Sequence, residues 1–182
     1  LVTYLLEQGA HVSSVNRDHS DALMFACVSG KKDIVEQILL AKADCNFTNR
    51  QGVSALMVAA ERGHEKIVEL LLDDYKVDFN KKMKNGSTAL TFAISGKHPE
   101  IVDQLIAAKA DVNQAMKDGT TPLMLAAERN HPGIVQTLLN CGALVTATRS
   151  KTQETALHIA AHVQGGAKLT VQRLLDSKAD VH

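Results

Sequence analysis

Eight histidines and three cysteines are the side chains of this 182-residue chain best suited to metal binding or nucleophilic catalysis. His64, His98 and His131 stand 34 and 33 residues apart, so they occupy equivalent places in successive structural units. Equivalent atoms of neighbouring units lie one helix-packing distance apart, roughly 8 to 10 Å. Zinc takes its nitrogens at about 2 Å, so these three histidines share no metal site. Cys27, Cys45 and Cys141 are separated by 18 and 96 residues and form no CxxC pair. A sparse, odd count of this kind points to reduced thiols and a cytoplasmic or nuclear setting. Cys27 takes the place of a core alanine, Cys45 falls in a loop, and Cys141 lies beside Gly142 at a helix end. There is no GxSxG, GxxxxGK or HExxH segment, the patterns that would place a nucleophile, phosphate cradle or zinc. No catalytic residue, metal ligand or cofactor is assigned, and the chain is expected not to be an enzyme.

What spaces the histidines is a repeat. The stretch Asp118 to Ala143 has near-copies on both sides, with anchor leucines at Leu23, Leu56, Leu90, Leu123 and Leu157, at intervals of 33, 34, 33 and 34. Each unit reads as helix, tight turn, helix and extended loop. Thr121 suits a helix N-cap and Pro122 the first helical position; Ser54, Thr88, Thr155 and Asp21 are expected to cap in the same way. Leu56, Ala59 and Ala60, like Leu123, Ala126 and Ala127, form one apolar stripe at helical spacing. Gly30, Gly63 and Asn130 follow at a site favouring a left-handed backbone. Second helices carry Ile34, Val35, Ile38 and Leu39, or Ile67, Val68, Leu71 and Leu72, with Pro99 and Pro132 near their starts. No unit can bury such stripes alone; stacking makes them one core.

A period of 33 around a Thr-Pro-Leu core resembles that of the ankyrin repeat family, and the resemblance covers nearly the whole chain. It implies an all-α solenoid of stacked helix-turn-helix units joined by extended hairpin-like loops. Residues 1–16 would be a partial repeat, followed by repeats at 17–49, 50–83, 84–116, 117–149 and 150–182. Leu1, Val2, Leu5 and Leu6 look like the second half of a repeat, and Lys178 to His182 stop where another loop should begin; a fragment of a longer protein is expected. The resemblance also implies that His64, His98 and His131 hydrogen-bond within the inter-helix turns, and that His158 joins Thr155 in a network absent where Met24, Met57, Thr91 and Met124 replace it. Asn113 resembles the asparagine setting hydroxylated in some ankyrin repeats, although a loop asparagine satisfying backbone groups is the simpler reading.

Three departures stand out. The glycine that usually ends the second helix is kept at Gly9 and Gly142 but replaced by Lys42, Lys109 and Lys178. One extra residue falls within Asp73 to Asp78, and two fall near Gly165 and Gly166.

In ankyrin repeats partners bind the loop tips and the outward side of the first helix, which together form a concave face. Carried onto this chain, the tips six residues before each anchor leucine are Arg17, Arg50, Lys84, Lys117 and Lys151, all basic. Lys81, Lys82 and Arg149 extend the row; Asp18, Asp118 and Glu154 dilute it. On the helix side the pairs are Val28 and Ser29, Glu61 and Arg62, Ser95 and Gly96, Glu128 and Arg129, and His162 and Val163. The expected function is a protein-protein interaction scaffold whose partner presents an acidic segment, with no small-molecule substrate. An alternative is the substrate-recruiting or regulatory arm of a larger enzyme or channel. Twenty basic and twenty acidic residues balance to zero net charge, which argues against nucleic acid as partner. The longest unbroken apolar run, Ala22 to Val28, has seven residues, far below the 18 or so that span a bilayer, so no membrane insertion is expected.

Overall fold

A computed structural model describes residues 4, 8–163 and 167–177. Ten helices are assigned among them: α1 (Ala22–Ser29), α2 (Lys32–Leu40), α3 (Ala55–Arg62), α4 (Glu65–Asp73), α5 (Ala89–Gly96), α6 (Pro99–Ala107), α7 (Pro122–Glu128), α8 (Pro132–Asn140), α9 (Ala156–His162) and α10 (Lys168–Asp176). Helices of seven to nine residues are marginal alone in water; packing supplies their stability. Odd-numbered helices pack in sequence along one side, α1 on α3, α3 on α5, α5 on α7 and α7 on α9. Even-numbered helices do the same along the other, and each odd helix packs on the even one that follows it. The result is the stacked, all-helical solenoid expected from the period. Among the described residues the only β-type pairing is an isolated bridge between Thr48 and Ser54.

Leu23, Leu56, Leu90 and Leu123 are completely or almost completely buried, as are Ala59, Ala60, Ala93, Ala126 and Ala127. Alanine lets first helices approach closely while leucine fills the space between layers. Leu157 is only half-buried, because no first helix follows α9 among the described residues.

The caps follow the sequence with one exception. Asp21, Ser54, Thr121 and Thr155 each accept a hydrogen bond from the backbone N–H three residues on. The buried Thr88 hydroxyl has no hydrogen-bond partner. Thr91 acts instead: its Oγ1 accepts from the Thr88 N–H at 2.9 Å and donates to the Thr88 carbonyl at 2.8 Å. At α7 the Met124 sulfur accepts from the Thr121 N–H at 3.4 Å, and at α9 His158 Nδ1 lies 2.9 Å from Thr155 Oγ1. The expectation that only His158 supports its cap is thus corrected: Thr91 and Met124 reach the same backbone group with different chemistry.

Lys42 and Lys109 do adopt the left-handed backbone, at φ 64° and 73°, as glycine does at Gly9 and Gly142. Lys76, at φ 47°, is the equivalent residue of the second unit, displaced by the extra residue in Asp73 to Asp78. Lys97, at φ 61°, takes the left-handed place between α5 and α6. The adjacent Gly96 serves a different need, since an added β-carbon there would lie 2.6 Å from the Glu61 carbonyl oxygen. Leu1, Val2, Leu5, Leu6, the pair Gly165 and Gly166, and Lys178 to His182 lie outside the described residues.

A ladder of asparagines fastens one loop to the next. Asn46 Oδ1 accepts from Asp78 N–H at 2.7 Å, Asn80 Oδ1 from Asp111 N–H at 3.0 Å, and Asn113 Oδ1 from Leu144 N–H at 2.8 Å. Asn113 Nδ2 also donates to the Gly142 carbonyl, which is the backbone role expected of it.

Two stability outcomes follow from this packing. Leu90→Ala should lower unfolding free energy by about 2 to 5 kcal/mol in urea titrations, and Leu157→Ala by clearly less. Lys42→Gly and Lys109→Gly should each raise it by up to about 1 kcal/mol, because the relieved left-handed strain of about 1 to 2 kcal/mol exceeds the extra chain entropy of glycine; unchanged or lower urea midpoints for both would contradict this.

Candidate functional site

The hairpins that cross from one layer to the next place the tip residues. In the first four, a backbone N–H donates to the carbonyl four residues on: Asn16 to Ser20, Asn49 to Val53, Met83 to Ser87 and Met116 to Thr120. The turn needs a positive φ, met by Gly52, Gly86 and Gly119 at 84–90° and by His19 at 64°. Successive tips are then joined directly, Arg50 N–H to the Asp18 carbonyl at 3.4 Å, Lys84 to Gln51 at 3.2 Å and Lys117 to Asn85 at 2.9 Å.

The fifth hairpin breaks this register. Arg149 N–H bonds to Glu154, five residues on, and the positive φ falls at Gln153. Ser150, not Lys151, donates to the Asp118 carbonyl at 2.9 Å. Counting back from Leu157 therefore placed Lys151 at the tip incorrectly, because the extra residue that lengthens this unit sits inside the hairpin. Arg149 is also withdrawn from the basic row: its guanidinium pairs with Glu128 at 2.5 Å and Glu154 at 3.8 Å and donates to Thr120 Oγ1 at 3.1 Å. Apart from Arg149, only Lys32 forms an ion pair among the described residues, with Glu36.

Arg17, Arg50, Lys82, Lys84, Lys117 and Lys151 are exposed, and so are Glu61, Arg62, Glu128 and Arg129 on the first helices. Lys81 is half-buried, and its ammonium donates to the Asn46 carbonyl. Asp118 accepts the Thr120 N–H at 2.9 Å; that bond, with Arg149 nearby, holds its carboxyl below the usual range. Glu128, Arg149, Glu154, Ile159, His162 and Val163 enclose a cleft of about 330 Å³.

Burial beside Asp21 pushes the Cys27 thiol up to about 12. Cys45 is raised as well, by burial and then by Asp44, and its Sγ donates to the Tyr75 carbonyl at 3.4 Å. Both are poor thiolates. Among the described residues no three of the His, Cys, Asp and Glu side chains are grouped to hold a metal ion.

The histidines divide by what precedes them. A β-carbon added at Gly30 would lie 2.5 Å from the His64 ring, and one at Gly63 2.5 Å from the His98 ring. His98 Nε2 is 3.0 Å from the Glu61 carbonyl of the preceding layer. These two reach between layers rather than bonding within their own turns, since glycine leaves room for the ring. Before His131 the left-handed residue is Lys97, and His131 does bond within its turn, its Nδ1 accepting from Ile134 N–H at 3.4 Å.

Sequence reasoning did not single out the residue two after each anchor: Phe25, Val58, Phe92, Leu125 and Ile159, apolar in every unit. Leu125 and Ile159 are buried at 7% exposure, but Phe25 is 55% exposed, next to Val28 at 44%. The signal was present as a fixed position in the repeat; exposure, which gives it meaning, was not.

A family model for ankyrin repeats in three copies matches residues 1–83, 75–149 and 113–182. The chain belongs to the ankyrin repeat family. Ankyrin repeats generally serve as protein-protein interaction modules and are typically non-catalytic scaffolds. No curated protein matches the chain. Among the described residues of this ankyrin repeat chain, no helix is long and apolar enough to cross a membrane.

Burial and then Lys97 lower the His131 pKa below its ordinary value of 6.5. The unfolded chain therefore takes up this proton first, and stability contributed by neutral His131 should be lost progressively as pH falls below about 6.5 and through the lowered folded-state value. Urea midpoints of the parent and His131→Gln should converge as pH is lowered below about 6.5; a constant gap would contradict the assignment.

Proposed function

We propose that this chain holds a partner protein in its concave face, along the hairpin tips and first helices, and that the partner presents an acidic segment there. One observation carries the reading: Arg50, Lys84 and Lys117 project from hydrogen-bonded, evenly placed tips, exposed and without an ion pair among the described residues. Solvated cations in a fixed row set orientation and rate of encounter more than depth of binding. Glu61 with Arg62, and Glu128 with Arg129, place mixed charge beside them and limit the attraction to partners that match the pattern. Phe25 and Val28, both exposed, supply apolar contact area that charge alone does not. Zero net charge and scarce aromatic residues, at 3%, favour a protein over nucleic acid, whose binding relies on dense cations and stacking. The sparse thiols support a cytoplasmic or nuclear setting.

The double variant Lys84→Glu/Lys117→Glu should slow association with a partner captured by this chain by about tenfold at low salt, with a smaller change in dissociation, in surface-binding kinetics. An association rate insensitive to both the substitutions and salt would remove the reading.

A further inference from the structure

Resting on that reading, we propose that the groove selects an extended acidic segment with carboxylates at every third residue, in register with Arg50, Lys84 and Lys117. The spacing follows from how the tips are built. Each of these three residues donates its own backbone N–H to the preceding tip, at 3.4, 3.2 and 2.9 Å, so the backbone positions that carry the cations advance by one layer per step. A layer is about 8 to 10 Å thick, the distance between packed helices. A polyproline-type segment has three residues per turn and rises about 3.1 Å per residue, so side chains three apart lie about 9.3 Å from each other on one face. Side chains two apart on a β-strand lie only about 6.6 Å from each other and fall out of step after one layer.

The row has two defined ends. At the N-terminal side the backbone N–H of Arg17 makes no bond to an earlier tip among the described residues, so the run of bonded tips begins with Arg50 on the Asp18 carbonyl. At the C-terminal side Ser150 occupies the next hydrogen-bonded tip, and Arg149 is held by Glu128 and Glu154. Three consecutive layers therefore present a cation that a ligand can neutralise, and the fourth presents two carboxylates around one guanidinium. Lys151, displaced by the longer hairpin, stands outside the row.

The test uses the full chain and two fluorescein-labelled peptides of identical composition, each with three glutamates, placed either at every third position or contiguously. Anisotropy titration at about 0.1 M salt should give the spaced peptide about fivefold or more tighter binding, since misregister forfeits exposed ion pairs of modest individual worth. Lys84→Glu/Lys117→Glu should abolish that preference, and Lys151→Glu should leave it within about twofold. All three positions are exposed, and thermal melts of each variant check that the stack is intact. Equal affinities for the two peptides would overturn the three-residue register, while their joint loss in the double variant would leave the acidic-partner reading standing. Binding of neither peptide, or equal damage from Lys151→Glu and the double variant, would overturn the register and the basic-row assignment together.

Discussion

Each layer of this molecule finds cover for its apolar stripe only in the layers beside it. Leu23, Leu56, Leu90 and Leu123 are buried where another first helix follows, whereas Leu157, at the same place in the repeat, is only half-buried, with no first helix following α9 among the described residues. Burying a leucine contributes about 1.5 to 3 kcal/mol, so stability here belongs to interfaces between layers more than to layers themselves. The alanines at Ala59, Ala60, Ala126 and Ala127 are the condition for it, since larger side chains would hold the helices apart. Asparagines 46, 80 and 113 perform the matching task in the loops, each satisfying a backbone N–H of the next layer.

Within that constraint the joints are varied by several independent means. Left-handed positions are filled by glycine, lysine, asparagine, histidine or glutamine. Caps are reinforced by a threonine hydroxyl, a methionine sulfur or an imidazole, all reaching the same amide. The histidine that opens the second helix in the second, third and fourth units leans on the previous layer when a glycine makes room and turns to its own helix when Lys97 does not. The core tolerates this because none of it changes the thickness of a layer.

The proposed binding edge is the one left over by stacking. The tips are bonded to one another through the backbone, which leaves their side chains free of structural duty. Arg149 shows the contrast, being close enough to Glu128 and Glu154 to be consumed by them. A groove made in this way is uniform in geometry and variable in chemistry, which suits recognition of another chain rather than a reaction needing convergent groups.

The period, the helices, their caps at Asp21, Ser54, Thr121 and Thr155 and the strained lysines at 42 and 109 were legible in the sequence, because each depends on residues within a few positions of one another. The extra residue of the fifth unit was visible as an interval of 34, but its location in the hairpin was not, so Lys151 was assigned a tip that Ser150 holds. Thr88 looked like its neighbours until Thr91 was seen to have taken its task. The capture of Arg149 by Glu128, the reach of His98 to Glu61 and the exposure of Phe25 involve residues from different layers. Local pattern determines what each layer is; which side chains remain free depends on distances across the stack, and those exist only once the layers are packed.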